Sequence, residues 1–336
     1  MSISDIRIQR PDEIVDVSIW SVDDEYGKMY PKGARDKKVV FLSESSDYKF
    51  LGVESRRYLY KLSFNRYPDQ YWVEIVAYRI GCLMNVPVPP AFVAIDSKEN
   101  NCGALIEWFY KDIKNEYRES YTDGSSFMKH EIPNFDTVKG TQHNFETILS
   151  FEDKIENWVQ DWTRIFIFDA LIGNTDRHQD NWGTILRDYF KVTTVDDFKN
   201  ETLVGIKFSQ RRFLAPAFDN GTSMGHEIVE EKFRNFTTDD QLNKYIDKGL
   251  YHMKWAYADK EKLPIMEFIK KFIARFPEQR DLMRKCISFD IKDAEALVMD
   301  LTRFEVKDKL SESRARFMLR LLEQRQKRLL KILEEK

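Results

Sequence analysis

Residues 167–183 read IFDALIGNTDRHQDNWG and carry the most informative pattern in the chain. An apolar, helix-like run ends at Gly173, and a glycine at that point is typical of a helix followed by a loop. Two Asp, two Asn, a His and an Arg then follow within eight residues. A loop this polar between apolar segments is costly to bury, so the pattern favours a loop that binds something.

The spacing inside this loop indicates phosphoryl transfer. Asp176 and Asn181 lie five positions apart. The Asp and Asn of the protein-kinase catalytic loop have the same spacing; there the Asp accepts the substrate hydroxyl proton and the Asn holds magnesium. The alternative is a polar turn that caps two helices. Other segments of the chain have to decide between these two interpretations.

Composition and charge restrict the class of protein. The chain has 336 residues, 42% of them hydrophobic and 14% aromatic, enough for one large two-lobed domain or two ordinary ones. The formal net charge of -3 argues against broad nucleic-acid or membrane-surface binding. The three cysteines are scattered, without a CxxC pair, which indicates a reducing compartment and offers no zinc site. We expect a cytoplasmic enzyme, with secretion into a host cell left open, because no signal-like or membrane-length apolar run occurs.

The first 109 residues are predicted to be rich in β-structure. The predicted strands are short pieces within 3–20, then 39–42, 57–64, 91–95 and 103–109, of which the last two form a hairpin. Lys61 lies in mid-strand, where a solvated face is the ordinary alternative. Glu107 and Phe109 would leave this lobe as a hinge whose backbone can bind an adenine edge.

A helix is predicted over residues 67–81, beginning after Pro68 and ending at Gly81. It carries Glu74, which follows Lys61 by 13 residues. Kinases pair a strand lysine with a glutamate of the following helix to hold the lysine against the α/β-phosphates of ATP. A surface carboxylate is the alternative for Glu74. An extended proline linker, VPVPP, is predicted next.

The rest of the chain is predicted to be mainly helical. The predicted elements are an irregular polar segment at 110–150, a helix at 156–172, a strand at 183–186, a charged excursion at 187–202, a strand at 213–218 and helices over 237–336. The irregular segment is predicted to be most flexible at Asp123-Gly124-Ser125-Ser126. Asp219 follows a strand and precedes a glycine turn, a position suited to a metal ligand. The alternative for Asp219 is an Asx-turn cap.

The candidate residues occur in the order that a kinase requires: Lys61, Glu74, a hinge at Glu107, Asp176 with Asn181, and Asp219. Asn181 and Asp219 would supply two protein oxygens to magnesium, and Asp176 would deprotonate the acceptor hydroxyl. His178, in the same catalytic loop, is interpreted mainly as holding the loop by hydrogen bonding. No Walker A motif, zinc triad, GxSxG elbow or GxGxxG loop is present.

These motifs resemble the HipA-like serine/threonine kinase family. The resemblance lies in LIGNTDRH with Asn181, in the FDNG of residues 218–221, and in RIG followed by VPVPP. It implies that Asp176 is the catalytic base, that Asn181 and Asp219 bind magnesium, and that Lys61 contacts ATP.

A phosphate loop is implied by the same resemblance. Gly33 and Arg35, with Lys37 nearby, are similar to the family pattern, and the segment from Ser43 to Asp47 is the alternative location. Some members of the family autophosphorylate a serine in this loop. The candidates here are Ser43, Ser45 and Ser46.

The resemblance covers about residues 30 to 230 and implies both a fold and an activity. The fold is α+β and bilobal, like that of protein kinases, with a β-rich N-lobe over 1–109 and a mainly helical C-lobe over 110–336. The activity is transfer of the γ-phosphate of ATP, with Mg²⁺, to a protein hydroxyl. The length is similar to that of compact members without an extra N-terminal subdomain.

Partners and rival functions follow from the same family. Some members are toxins that phosphorylate aminoacyl-tRNA synthetases and are silenced by an antitoxin. We therefore expect a protein substrate, such as a synthetase or another translation factor, and an antitoxin partner, but no direct nucleic-acid or membrane binding. A small-molecule or lipid kinase on the same scaffold, and a nucleotide-binding regulator without turnover, stay open.

Overall fold

The structure is a computed structural model that describes residues 6–23, 35–43, 48–51, 57–110, 117–196 and 202–335. The predictions made for Gly33, Ser45 and Ser46 therefore lie outside the described residues. Among the helices of the described ranges, none is long and apolar enough to cross a membrane.

A six-stranded sheet forms the β-rich first part of the described chain. Its strands are β1 (Val15–Asp16), β2 (Ser21–Val22), β3 (Lys37–Phe41), β4 (Arg57–Lys61), β5 (Ala91–Asp96) and β6 (Asn101–Glu107). The spatial order is β1-β5-β6-β4-β3-β2, and only β1 and β5 run parallel to each other. The predicted β5–β6 hairpin is confirmed. The strands predicted over residues 3–20 reduce, in the described part, to β1 and a 3-10 turn at Val17–Ile19.

Helix α1 (Gln70–Met84) packs against β5 and β6 of this sheet. The apolar face that predicted it is fully buried at residues 72, 73, 76, 77 and 80. The predicted end at Gly81 is wrong, because the helix continues to Met84 and stops at Asn85, which has a φ of 53°. Gly81 serves close packing instead, since a Cβ there would lie 2.4 Å from Val88 Cγ2 of the proline linker.

A three-stranded antiparallel sheet follows, built from β7 (Tyr117–Asp123), β8 (Gly183–Asp196) and β9 (Thr202–Leu214). The charged excursion predicted between the last two strands is wrong, because β8 and β9 pair along nearly their whole length. Charged side chains fit such strands when one face of the sheet meets solvent. The strand predicted over 213–218 ends early, at Leu214.

The prediction of an irregular segment over residues 110–150 is also wrong. The segment contains β7 and two helices, α2 (Gly124–Glu131) and α3 (Phe145–Leu149). Asp123 caps α2 by accepting a hydrogen bond from the Ser126 amide at 2.9 Å. The Asp-Gly-Ser-Ser sequence that suggested a flexible turn is therefore a helix N-terminus.

The remaining described elements are helical, as predicted. The α-helices are α4 (Trp158–Ile172), α5 (Asp239–Asp247), α6 (Ile265–Arg275), α7 (Arg280–Ile287), α8 (Ile291–Asp300) and α9 (Glu312–Glu334), with 3-10 turns at Glu152–Lys154, Glu230–Phe236, Pro277–Gln279 and Leu301–Arg303. One hydrophobic core extends from the first sheet through these helices. Helix α4 ends at Gly173, which has a φ of 72°, and a Cβ there would lie 2.2 Å from Arg325 Nη2 of α9. The long last helix thus supports the start of the polar loop.

Candidate active site

A cleft of about 370 Å³ is lined by the first sheet and α1 on one side and by the polar loop after α4 on the other. All predicted site residues that the structure describes line it: Arg35, Lys37, Lys61, Glu74, Glu107, Phe109, Asp176, His178, Asn181 and Asp219. The fold thereby brings together side chains that lie up to 184 positions apart in the sequence.

Two cations and two carboxylates meet in this cleft. Lys61, the last residue of β4, donates from Nζ to Glu74 Oε1 at 2.8 Å and to Asp219 Oδ1 at 2.6 Å. Arg35 Nη2 donates to the same two oxygens at 2.5 and 3.0 Å. Lys61 and Glu74 are each 4% exposed, which excludes the solvated strand face and the surface carboxylate. Sequence reasoning found the lysine–glutamate pair but missed that Arg35 joins it.

The local structure of three segments positions these charges. The β3–β4 register pairs Lys37 with Lys61, which brings Arg35 close to the end of β4. Glu74 is fixed from a second direction, since its Oε2 accepts a hydrogen bond from the Asn220 amide at 2.9 Å. Asp219 has a φ of 55°, a left-handed conformation that aspartate tolerates better than most residues.

Burial and neighbouring charges set the protonation of the cluster. Burial would raise the pKa values of Asp219 and Glu74, but Lys61 and Arg35 outweigh burial and hold both pKa values below the ordinary range. Both carboxylates are therefore ionised at neutral pH. Burial, assisted by the charge of Lys61, lowers the pKa of Lys37 to about 8.

The polar loop is held by a buried arginine that sequence reasoning did not assign. Arg177 donates from Nε and Nη2 to the two carboxylate oxygens of Asp169 at 3.1 and 2.6 Å. It also donates to the carbonyls of Asn181 and Phe218 at 2.8 and 2.5 Å. Arg177 therefore ties the polar loop to α4 and to the segment that carries Asp219. The sequence feature that could have indicated this role of Arg177 is Asp169, an aspartate inside the apolar run of α4.

Asp176 and Asn181 are held by the loop's own backbone. The Asp176 amide donates to Asn174 Oδ1 at 3.1 Å, and Asn181 Nδ2 donates to the Asp176 carbonyl at 2.7 Å. These bonds leave the Asp176 carboxylate and the Asn181 amide oxygen as the polar ends that can serve a ligand. Burial raises the pKa of Asp176, and the charge of Asp219 acts in the same direction.

His178 is bonded within the loop. Its Nδ1 accepts a hydrogen bond from the Asp180 amide at 3.2 Å, and its own amide donates to the Asp176 carbonyl at 2.8 Å. The His252 ring lies 5.6 Å away, centroid to centroid. This geometry fits the interpretation in which His178 holds the loop.

Aromatic rings line the end of the cleft near the predicted hinge. Phe109 stacks on Phe218 with centroids 5.4 Å apart, and Tyr121 packs edge-on against Phe109 at the same distance. The Glu107 side chain pairs with Arg7 at 2.7 Å, while its amide donates to the Pro90 carbonyl. The side chain and the amide of Glu107 are therefore both engaged, and the role of this residue as a hinge stays a prediction.

The donor atoms present fit a magnesium ion. Asp219 presents a carboxylate that is 27% exposed, and Asn181 presents an amide oxygen, since its nitrogen is bonded. No group of three or more His, Cys, Asp or Glu in the described ranges could hold a metal. Magnesium needs no such cage, because it keeps several waters and binds one or two protein oxygens together with substrate phosphates.

Comparisons with known proteins bear on the family and the fold of the chain. Residues 29–279 match the model of the HipA-like C-terminal domain family. A search of curated proteins finds no match. The fold is similar to that of the proinflammatory kinase CtkA of Helicobacter pylori, with a TM-score of 0.68 and 17% identity, over 95% of this chain and 96% of that one. This similarity confirms the predicted bilobal α+β fold.

A more distant similarity is to HipA of Shewanella oneidensis MR-1, solved with HipB and its operator DNA. The TM-score is 0.49 at 13% identity, and the alignment covers 90% of this chain and 66% of that chain.

Proposed function

The chain belongs to the HipA-like C-terminal domain family, and from this premise we propose that it is an ATP-dependent protein serine/threonine kinase. The observation that carries the proposal is that Lys61, Asp176, Asn181 and Asp219 line one cleft. In this proposal residues 1–109 hold the nucleotide, and residues 110–336 carry the catalytic loop and bind the protein acceptor.

Asp176 is the general base. It takes the proton of the acceptor hydroxyl as that oxygen attacks the γ-phosphorus, while the bond from the γ-phosphorus to the bridging oxygen breaks and ADP leaves. Burial raises the pKa of the Asp176 carboxyl, which makes it a stronger base than an exposed aspartate. The loop bonds from Asn174 and Asn181 keep this carboxylate in the cleft.

The remaining residues bind and orient the nucleotide. Lys61, with Arg35 and Lys37, binds the phosphates, and the aromatic pair at the hinge packs on the adenine. Asn181 and Asp219 would hold Mg²⁺, which would supply positive charge to the phosphates when bound. Glu74 keeps Lys61 in position.

The test is transfer of label from γ-labelled ATP to proteins of a cell lysate, compared between the wild-type chain and Asp176→Asn. We expect transfer by the variant to fall roughly 100- to 10,000-fold, because general-base catalysis contributes that much, while ATP affinity changes by several-fold at most. Asparagine keeps the size of the side chain. The variant should melt no lower than the wild type, since burial already disfavours the charged carboxylate.

The outcomes separate the rival functions. Label that appears only in metabolites or lipids rejects a protein acceptor and supports the small-molecule or lipid kinase. ATP binding without any turnover supports the regulator. Equal transfer by both proteins rejects Asp176 as the base.

The identity of the acceptor and of a partner stay predictions from the family resemblance. An aminoacyl-tRNA synthetase or another translation factor is the expected acceptor class, and an antitoxin is the expected partner. Phosphopeptide mapping with active and Asp176→Asn protein identifies the acceptor, and it also shows whether Ser43, Ser45 or Ser46 of the chain itself takes phosphate.

A further inference from the structure

A buried arginine that is not part of the cleft lining connects the two segments that carry the central carboxylates. Arg314, in the first turn of α9, is 2% exposed, and its Nε lies 2.9 Å from Asp69 Oδ2. Asp69 is the residue immediately before α1, the helix of Glu74, and its side chain makes no cap bond to that helix. The start of α1 is thereby fixed to α9.

The same guanidinium fixes the segment that follows Asp219. Arg314 Nη1 donates to the Gly225 carbonyl at 3.1 Å, and Nη2 donates to the Ile228 carbonyl at 2.6 Å. The backbone of Arg314 is itself anchored, because its amide donates to Ser311 Oγ at 2.9 Å. One side chain therefore spans from the Glu74 helix to the turn six to nine residues after Asp219.

Neighbouring contacts hold the outer face of α1 in the same way. Tyr71 and Trp72 both donate to the Asp308 carbonyl, at 2.6 and 2.7 Å. Arg79 donates to the Leu297 carbonyl at 2.6 Å and pairs with Asp300 at 3.1 Å. These contacts join residues 69–79, from the residue before α1 to the tenth of its 15 residues, to residues 297–314. A rigid-body displacement of α1 would break several buried bonds together.

We propose that Arg314 is a positioning residue for the phosphoryl transfer assigned above, and this inference rests on that proposed function. Arg314 keeps Glu74 and Asp219 in register with each other, so that Lys61 and the magnesium-binding carboxylate are aligned without a separate activating step. Residues 297–314 then hold the Glu74 helix in place from within the chain. Kinases that control this helix from outside have to move it, whereas this chain holds it in place.

The test compares Arg314→Met with Arg314→Lys and with a matched control on the same helix. Arg320→Met is the control, because Arg320 also donates to two backbone carbonyls, those of Phe236 and Thr237, at 2.6 and 3.1 Å, and none of its hydrogen bonds reaches α1 or the Asp219 segment. The rates are divided by the folded fraction, measured from the near-UV dichroism of each variant.

We expect Arg314→Met to lower kcat per folded molecule by about 10- to 100-fold, the size of effect that a displacement of about 1 Å produces. KM for the protein acceptor should stay unchanged. Arg314→Lys, which keeps the charge opposite Asp69, should recover part of the loss, and Arg320→Met should stay within about twofold. Asp69→Asn should lower kcat in the wild type but add nothing to Arg314→Met.

Failure of the proposed kinase function and failure of the positioning role give different results. If the wild type transfers no phosphate, the proposed function fails. If the wild type transfers phosphate and Arg314→Met matches Arg320→Met per folded molecule, the positioning role is rejected while the kinase stands. Magnesium-dependent affinity for a fluorescent ATP analogue gives a second readout, and it should weaken in Arg314→Met but not in Arg320→Met.

Discussion

Arg177 and Arg35 both bind carboxylates, but they differ in how many nitrogens of their guanidinium groups have a hydrogen-bond partner. Arg177 and Asp169 have side chains that are 0% exposed. Every nitrogen of that guanidinium has a fixed partner: Asp169 for Nε and Nη2, Asn220 for Nη2, and two backbone carbonyls for Nη1. Tyr251 completes the coordination of Asp169 by donating to Oδ2 at 2.8 Å.

Arg35 makes both of its ion pairs through Nη2 alone. Its Nη1 is buried and has no hydrogen-bond partner among the described residues. One of its carboxylates, Asp219, is partly exposed to the cleft. An enclosed ion pair whose nitrogens all have partners serves to stabilise the fold, because removing either partner leaves the other charge buried and unpaired. The cluster around Arg35 has a nitrogen that is unpaired within the described ranges and a partly exposed carboxylate, so a ligand can replace some of its hydrogen bonds at a lower cost in free energy.

The largest expected effect tests the saturated pair. Arg177→Met leaves Asp169 buried without its cation, so we expect the free energy of unfolding to fall by about 3–5 kcal/mol. Urea denaturation followed by circular dichroism measures the loss. Arg35→Met is the matched variant in the cleft and should cost less than about half as much, because Lys61 still neutralises the carboxylates. If the free energy of unfolding fell by a similar amount in both variants, the proposed difference between the Arg177 pair and the Arg35 cluster would be rejected.

An intermediate effect is expected at the open cluster. Asp219→Asn removes the carboxylate proposed for magnesium, so the gain in ATP-analogue affinity on adding Mg²⁺ should shrink by roughly 10- to 100-fold. The measurement is a fluorescence titration with and without Mg²⁺. Asp188→Asn, which alters a carboxylate on β8 outside the cleft lining, is the control. An unchanged magnesium dependence in Asp219→Asn would argue against Asp219 as a ligand.

The smallest expected effect is on pH dependence. Burial, with the charge of Lys61, lowers the pKa of Lys37 to about 8, so this lysine is cationic below pH 8 and becomes neutral above it. Affinity for the ATP analogue should therefore fall several-fold as the pH rises from 7 to 9. Lys37→Arg stays charged throughout this range and should flatten the profile. A wild-type affinity that is flat between pH 7 and 9 would contradict this prediction.

Local patterns in the sequence predicted a large part of the site. The spacing of Asp176 and Asn181 and the separation of Lys61 from Glu74 are fixed by one loop and by one strand–helix unit. Those residues were therefore correctly placed in one cleft. The order of the β-rich and helical parts was also predicted, since hydrophobic periodicity is a local property.

What could not be predicted depends on contacts between distant segments. The pairing of Arg35 with Glu74 and Asp219 follows from the β3–β4 register, and the contacts of Arg314 follow from the packing of α9. Neither leaves a mark in the nearby sequence. Gly81 was misread as a helix end because its real partner, Val88, lies in the next segment. Asp123 was misread as part of a flexible turn because an N-cap and a turn use the same residues.

The contact between Gly173 and Arg325 has a consequence for the order of synthesis. Arg325 also donates to the Ile172 carbonyl at 3.2 Å, so the start of the polar loop is supported by a helix that is translated 153 residues later. A ribosome-bound chain that has exposed residues 167–183 but not α9 lacks this support. A nascent molecule would thus complete the proposed active site only after α9 has been synthesised.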